Sequence, residues 1–316
     1  MMGEQIPLLI DTDPGVDDAL AILMALSDPN HEVVGLTIAA GNVGLDNTVA
    51  NALKLCEVAG VDVRVYAGCL GPLVHPARDA AYIHGRDGFG DTGYGAATRP
   101  GDPEHAARAI LRLSHEYAGR LVLVALAPLT NIALALKLDP SLPGRIARFV
   151  VMGGAVTGRG NITPAAEFNI YFDPEAAHIV FDSFPMIELS DWEATVAHGF
   201  AHDAIDDWVR AGNPIASFYG EISRQTRAWA RGRRGDAWHA ADPLAMAYAL
   251  EPASALETVT RPVAIELDGE NTRGATIVDW RREGGSRDNC RILMRYDQAR
   301  FEHRMQHALG VLPSLR

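Results

Sequence analysis

The chain lacks nearly everything that would tie it to a membrane, a nucleic acid or an oxidising compartment. Its 316 residues include three cysteines, Cys56, Cys69 and Cys290, an odd number without metal-ligand spacing. They read as free thiols, which fits a reducing cytoplasm. No apolar stretch reaches the length of about 18 residues that a spanning helix needs. The start, Met1-Met2-Gly3-Glu4-Gln5, has no basic segment followed by an apolar core, so no signal peptide is expected. Positive charge is the minority: 28 basic residues against 40 acidic ones leave a formal charge of −12. Such a balance suits neither nucleic acid backbone nor anionic lipid. The basic clusters Arg231-Gly232-Arg233-Arg234 and Arg281-Arg282 are short and read as solvated loops. Repeats and low-complexity linkers are also missing. With 48% hydrophobic residues, one domain over residues 1–316 with a large core is expected.

What is present is a βα rhythm. Val-, Leu- and Ile-rich runs at 6–10, 32–40, 61–67, 120–127, 147–152 and 185–190 read as strands buried on both faces. Helical patterns at 18–27, 46–59, 103–118, 130–138 and 174–182 lie between them. Asp46 and Asn47 are candidate caps for the second helix, and Asp102-Pro103-Glu104 for the third. The fold class is therefore α/β, with a mostly parallel central sheet, right-handed crossovers and flanking helices. Residues 196–250 read as helical, broken by a Gly/Arg-rich loop at 231–237. Pro262 to Leu267 and Ala275 to Trp280 read as a small C-terminal hairpin, followed by a strand at Asn289 to Arg295 and a closing helix at 297–309.

The densest chemistry lies just after the first strand. Asp11-Thr12-Asp13-Pro14-Gly15-Val16-Asp17-Asp18 places four carboxylates within eight residues, and Pro14-Gly15 turns the chain between the two pairs. Like charges this close need an offset, and a hard cation with oxygen ligands supplies one. A helix cap alone would need only one acceptor. In parallel α/β sheets, ligands bind beyond the carboxyl ends of the strands. Those ends here also deliver Asn42, Leu126, Met152, Asn161, Glu167 and Asn169, and the later loop 236–243 adds Asp236, His239 and Asp242. A crevice of Asp, Asn and Glu, with only Arg159 as a cation nearby, suits a neutral polyhydroxyl ligand such as a sugar rather than a phosphate.

Other acidic motifs fit poorly. An EF-hand loop starting at Asp11 would need Gly and an acid where Val16 and Ile22 stand. An Asp-x-Asp phosphohydrolase loop lacks a basic residue beside it to balance a transferring phosphoryl group. No dinucleotide fingerprint occurs in the first βα turn.

The run Asp11 to Ala19 resembles the signature of the inosine/uridine-preferring nucleoside hydrolases. The resemblance extends through Ala40-Gly41-Asn42, His84-Gly85, Pro128-Leu129-Thr130-Asn131, Met152-Gly153-Gly154, Asn161, Ala166-Glu167-Phe168-Asn169, Asp173-Pro174-Glu175 and Asp242-Pro243. It implies a Rossmann-like nucleoside hydrolase fold and a Ca²⁺-dependent enzyme that cleaves ribonucleosides to ribose and free base, assembled as a homodimer or homotetramer. Asp13, Asp18, the Leu126 carbonyl and Asp242 would hold the ion. Asp13 would activate the metal-bound water for attack on C1′. Asp17, Asn42, Asn161, Glu167 and Asn169 would grip the ribose, Met152 would pack on it, and Asp11 would orient its neighbours.

One position departs from the family. Many members carry a His before the last metal-binding Asp, assigned as the acid that protonates the leaving base; here Ala241 stands there. His239 or His84 could take over, or the base could leave without a side-chain acid, stacked on Trp238, Trp229, Phe89 or Tyr94. Hydrolysis of another N-ribosyl compound, and non-catalytic binding of nucleoside or ribose, are the competing readings.

Overall fold

The structure is a computed structural model that describes residues 4–233, 235 and 237–313. Its strands are β1 (Ile6–Thr12), β2 (His31–Ile38), β3 (Val65–Ala67), β4 (Leu121–Ala125), β5 (Ile146–Met152), β6 (Ile187–Ser190), β7 (Phe200–Ala201), β8 (Ala237–Trp238), β9 (Ala255–Arg261), β10 (Val263–Ile265), β11 (Thr276–Val278) and β12 (Cys290–Tyr296). Eight of them form one sheet in the order β3-β2-β1-β4-β5-β6-β12-β9. All neighbours pair in parallel except β9, which runs antiparallel to β12 at the edge. The α/β class and mostly parallel sheet expected from the sequence are therefore present. β1 is central, and its end, with that of β4, faces the crevice beyond the sheet.

The helices are α1 (Val16–Ser27), α2 (Leu45–Ala59), α3 (Ala81–His84), α4 (Ala106–Glu116), α5 (Thr130–Leu138), α6 (Phe168–Phe172), α7 (Pro174–Ser183), α8 (Trp192–Ala197), α9 (His202–Val209), α10 (Pro214–Arg233), α11 (Ala241–Leu250) and α12 (Gln298–Ala308). α1 and α11 pack on each other. Every described residue of α11 is buried, as is most of α1, which is why both read as apolar all round rather than as stripes. Each fully buried Leu or Ile in this layer stabilises the fold by about 1.5–3 kcal/mol. The same packing holds the N-termini of both helices, with Asp17, Asp18 and Asp242, at one place.

Several local expectations are corrected. α2 starts at Leu45 with Gly44 as its cap, so Asp46 sits in the first turn instead. α4 starts at Ala106, because the Asp102 amide is used in a bond to the Val65 carbonyl (2.8 Å) and His105 Nδ1 caps the helix at Ala107. The third strand spans only Val65–Ala67. The segment read as helical from 196 also contains the two-residue pair β7–β8. β9 had no sequence signal as a buried strand, since it lies on the sheet edge with Leu256 exposed. The hairpin is shorter than expected and pairs Val263–Ile265 with Thr276–Val278.

Candidate active site

Each acid of the first loop has a different environment. Asp11 ends the buried face of β1; its Oδ1 accepts from Thr37 Oγ1 (2.7 Å) and Asn131 Nδ2 (2.9 Å). It thereby ties β1 to β2 and α5, and burial raises its pKa to about 7. Asp18 is the most heavily bonded. It accepts from Thr12 Oγ1 (2.5 Å), the Gly15 amide (3.0 Å) and Asn42 Nδ2 (2.9 Å). The Gly15 bond is half of a helix cap, so the capping role and a ligand role coexist on one carboxylate. Asp13 accepts the Asn42 amide on Oδ2 at 2.6 Å, while its Oδ1 is buried without a hydrogen-bond partner among the described residues. Gly41 is required beside it, because a Cβ there would overlap Asp13 Oδ2.

Asp242 closes the cluster from α11. Carboxylate oxygens of Asp17, Asp18 and Asp242 lie within 4.8 Å of one another. Burial, then the charges of Asp17, Asp18 and Asp13, raise the Asp242 pKa. Burial, then Asp18, raises that of Asp13. Asp17, expected on the ribose, thus stands in the same cluster as the expected ion ligands. Oxygen donors from separate loops, an orphaned buried oxygen on Asp13 and no Lys or Arg in the cavity lining fit a hard divalent cation.

The residues expected on the ribose are held by backbone. Glu167 caps α6: Oε1 accepts from the Asn169 amide (3.0 Å), and Oε2 from those of Gly154 (3.1 Å) and Ile170 (3.3 Å). The run Glu167-Phe168-Asn169 therefore marks a helix start. Burial pushes the Glu167 pKa up to about 7 against those bonds. Asn169 Nδ2 donates to the Leu126 carbonyl (2.7 Å) and contacts Met152 Sδ (3.3 Å), joining the ends of β4 and β5. Asn161 Oδ1 accepts the Phe168 amide (2.9 Å). Asn42 donates inward to both acids rather than standing apart from them.

One cavity is lined by Asp17, Asn42, Leu126, Met152, Asn161, Glu167, Asn169 and Asp242, and also by His84 and His239. These sequence-derived residues, from six separate loops, are thus brought together, whereas the fully buried Asp11, Asp13 and Asp18 are not part of the lining. His84 Nδ1 accepts the Val16 amide (3.1 Å), so its ring hydrogen sits on Nε2 in the neutral form. His239 packs edge-on to Trp192, ring centroids 5.9 Å apart. Of the four aromatic candidates, Trp229 and Trp238 line the cavity. Phe89 and Tyr94 do not; they form a separate cluster with Phe218. Asp236 lies outside the described residues.

The sequence reading missed Tyr82, Trp192 and Phe168 of the cavity wall. Trp192 does carry a signal, since it closely follows the end of β6. Tyr82 lies on α3, a single turn within a long Gly-rich loop that carries no periodic signal.

Comparison with known proteins agrees with this geometry. A family model described as inosine-uridine preferring nucleoside hydrolase matches residues 8–303. The chain is 36% identical over 300 residues to the inosine-uridine preferring nucleoside hydrolase of Leishmania major, covering 93% of this chain and 94% of that one. It is similar in structure to a plant nucleoside hydrolase (TM-score 0.91, 30% identity, 97% of this chain and 99% of the other). A purine-preferring ribonucleoside hydrolase from Gardnerella vaginalis is also similar (TM-score 0.89, 31% identity, 96% and 98% covered).

Proposed function

The chain belongs to the inosine-uridine preferring nucleoside hydrolase family, and on that premise we propose that it is a Ca²⁺-dependent enzyme hydrolysing the N-glycosidic bond of ribonucleosides to ribose and free base. The observation that carries this reading is the acid cluster of Asp17, Asp18 and Asp242, two of which line one cavity together with Asn and Glu side chains fixed by backbone, with an orphaned oxygen on the buried Asp13. Asp13, Asp18, Asp242 and the Leu126 carbonyl would hold the ion, which when bound would make water more acidic and bind ribose hydroxyls.

The protein's own groups then have distinct tasks. Asn42 anchors Asp13 through Oδ2, which leaves Oδ1 to take the proton of the attacking water. Asp17, Asn42, Asn161, Glu167 and Asn169 hold ribose hydroxyls, and Met152 packs on the sugar. As C1′ gains oxocarbenium character, the negative charge of this end of the cavity stabilises it.

A homodimer or homotetramer and a cytoplasmic location complete the reading. Family membership supports the first and three free cysteines the second. No helix among the described residues is long and apolar enough to cross a membrane. The deciding experiment is reducing-sugar release from inosine, guanosine, uridine and cytidine, with and without a calcium chelator. Chelator-sensitive ribose release is expected from at least one of them. Binding of ribose without cleavage of any nucleoside would leave only the binder, and cleavage confined to other N-ribosyl compounds would move the substrate class.

A further inference from the structure

Hydrolysis needs an acceptor for the proton of water on one side of C1′ and a donor for the departing nitrogen base on the other. The acceptor is Asp13 Oδ1. On the donor side, Ala241 supplies nothing; His84 accepts the Val16 amide on Nδ1 and carries its ring hydrogen on Nε2, and His239 packs edge-on to Trp192. A further donor stands on the same wall. Trp238 is 3% exposed, lines the cavity, and its Nε1–H has no hydrogen-bond partner among the described residues.

A buried N–H without an acceptor is destabilising; Nε1 is closed to solvent in the cavity wall, so an acceptor reaches it as the wall shifts around a bound ligand. Its place narrows what that ligand group is. β8 packs against α10, which brings Trp229 and Ala230 to the cavity, and the chain runs on from Trp238 through three residues to Asp242. Trp238 therefore stands where the aromatic wall meets the acid cluster. With ribose held at the acid end, that junction is where the glycosidic nitrogen and the adjoining edge of the base lie.

Resting on the function proposed above, the geometry points to Trp238 as the hydrogen-bond donor to the departing nucleobase, through a ring nitrogen or carbonyl acceptor on its edge. Trp238 keeps its proton throughout. The water oxygen bonds to C1′ and its proton passes to Asp13. The C1′–N electron pair leaves with the base as an anion, whose charge the indole N–H stabilises. The anion then takes a proton from solvent, and Asp13 returns its own. A neutral donor facing developing charge in a dry site is effective without titrating.

W238F removes the N–H and keeps an aromatic ring. The kcat for inosine and uridine should fall roughly 10–100-fold, the range of a lost bond to a charged group, with KM little changed. On 4-nitrophenyl riboside, whose phenolate needs no donor, the loss should be at least tenfold smaller. Equal losses on all three substrates, or no loss on nucleosides, overturn the assignment. Wild type inactive on all three overturns the underlying function, and this inference with it. If W238F does not fold, wild type labelled with ¹⁵N and titrated with free base gives the answer through the indole N–H signals of its five tryptophans. With the Trp192 and Trp229 signals assigned through W192F and W229F, a downfield shift of the Trp238 signal supports the contact, and an unmoved Trp238 signal refutes it.

Discussion

Asp13→Asn separates the chemistry of this site from its stability, because the two should move in opposite directions. An asparagine can keep its side-chain oxygen on the Asn42 amide, now 2.6 Å from Oδ2, with its NH₂ at the position of the partnerless Oδ1. The fold therefore loses little. The proton acceptor is gone, so kcat should fall by about 10²–10⁴, the usual share of a positioned general base, or about 3–5 kcal/mol of barrier. The metal-free protein should meanwhile become more stable. Asp13 is buried, and burial and Asp18 both raise its pKa; a neutral amide removes the desolvation and the repulsion. A gain in stability at neutral pH is therefore expected, read as a higher melting temperature. Initial rates with a cleaved nucleoside and thermal melts in chelator measure the two effects. Wild-type turnover in D13N would refute the base assignment. A lower chelated melting temperature would refute the electrostatic account of the cluster.

Two further outcomes follow from the same geometry. Gly41→Ala should cut activity at least 100-fold, since a Cβ there overlaps Asp13 Oδ2 and also meets Pro128, and misplacement of a catalytic group by about 1 Å costs that much; an active G41A would show that the loop yields freely. The chelated protein should also lose stability as pH rises. Glu167 keeps its proton in the folded state up to about 7 but releases it near 4.5 when unfolded, so between these values the folded state binds more protons and stability falls with pH. The fall from this group is about 3 kcal/mol, Asp11 adds to it in the window from 3.8 to about 7, and E167Q should flatten part of it; a melting temperature that is level or rising across that range contradicts the burial argument.

How far the sequence reveals this site depends on where each residue gets its signal. The acids of the first loop were legible because four carboxylates around Pro14-Gly15 have no structural need for one another. Asn42, Glu167 and Asn169 were legible by position, each just after a strand or in the loop that follows one. Their partners were not. That Glu167 would cap a five-residue helix, and that Asn169 would bridge the ends of β4 and β5, depends on long-range packing that no local pattern encodes. The same holds for β9, whose alternation is diluted because one of its edges faces solvent, and for the aromatic wall. Phe89 and Trp229 look alike as sequence; only the packing of α10 sends one to the core and the other to the cavity.

That packing also explains why the C-terminal hairpin, distant in sequence from every acid, belongs to the site. Loop 153–161 carries Asn161 and abuts Glu167, yet it has no regular structure of its own. Asp191 Oδ2 accepts its Val156 amide (2.9 Å), and Glu193 accepts the amides of Thr157 and Arg159 and the Thr157 hydroxyl. From the other side, Thr276 Oγ1 accepts the Ala155 amide (3.4 Å), and Trp280 Nε1 donates to the Val156 carbonyl (3.3 Å). Gly154, at φ +80°, leaves no room for a Cβ beside Thr276. Asp191 and Glu193 flank Trp192 on α8, which faces the cavity. One short helix therefore fixes both the loop that carries Asn161 and a ring of the cavity wall. Since the two halves of a nucleoside must be held in register for C1′ to meet its water, a clasp that joins their two walls contributes to orientation without touching a reacting atom.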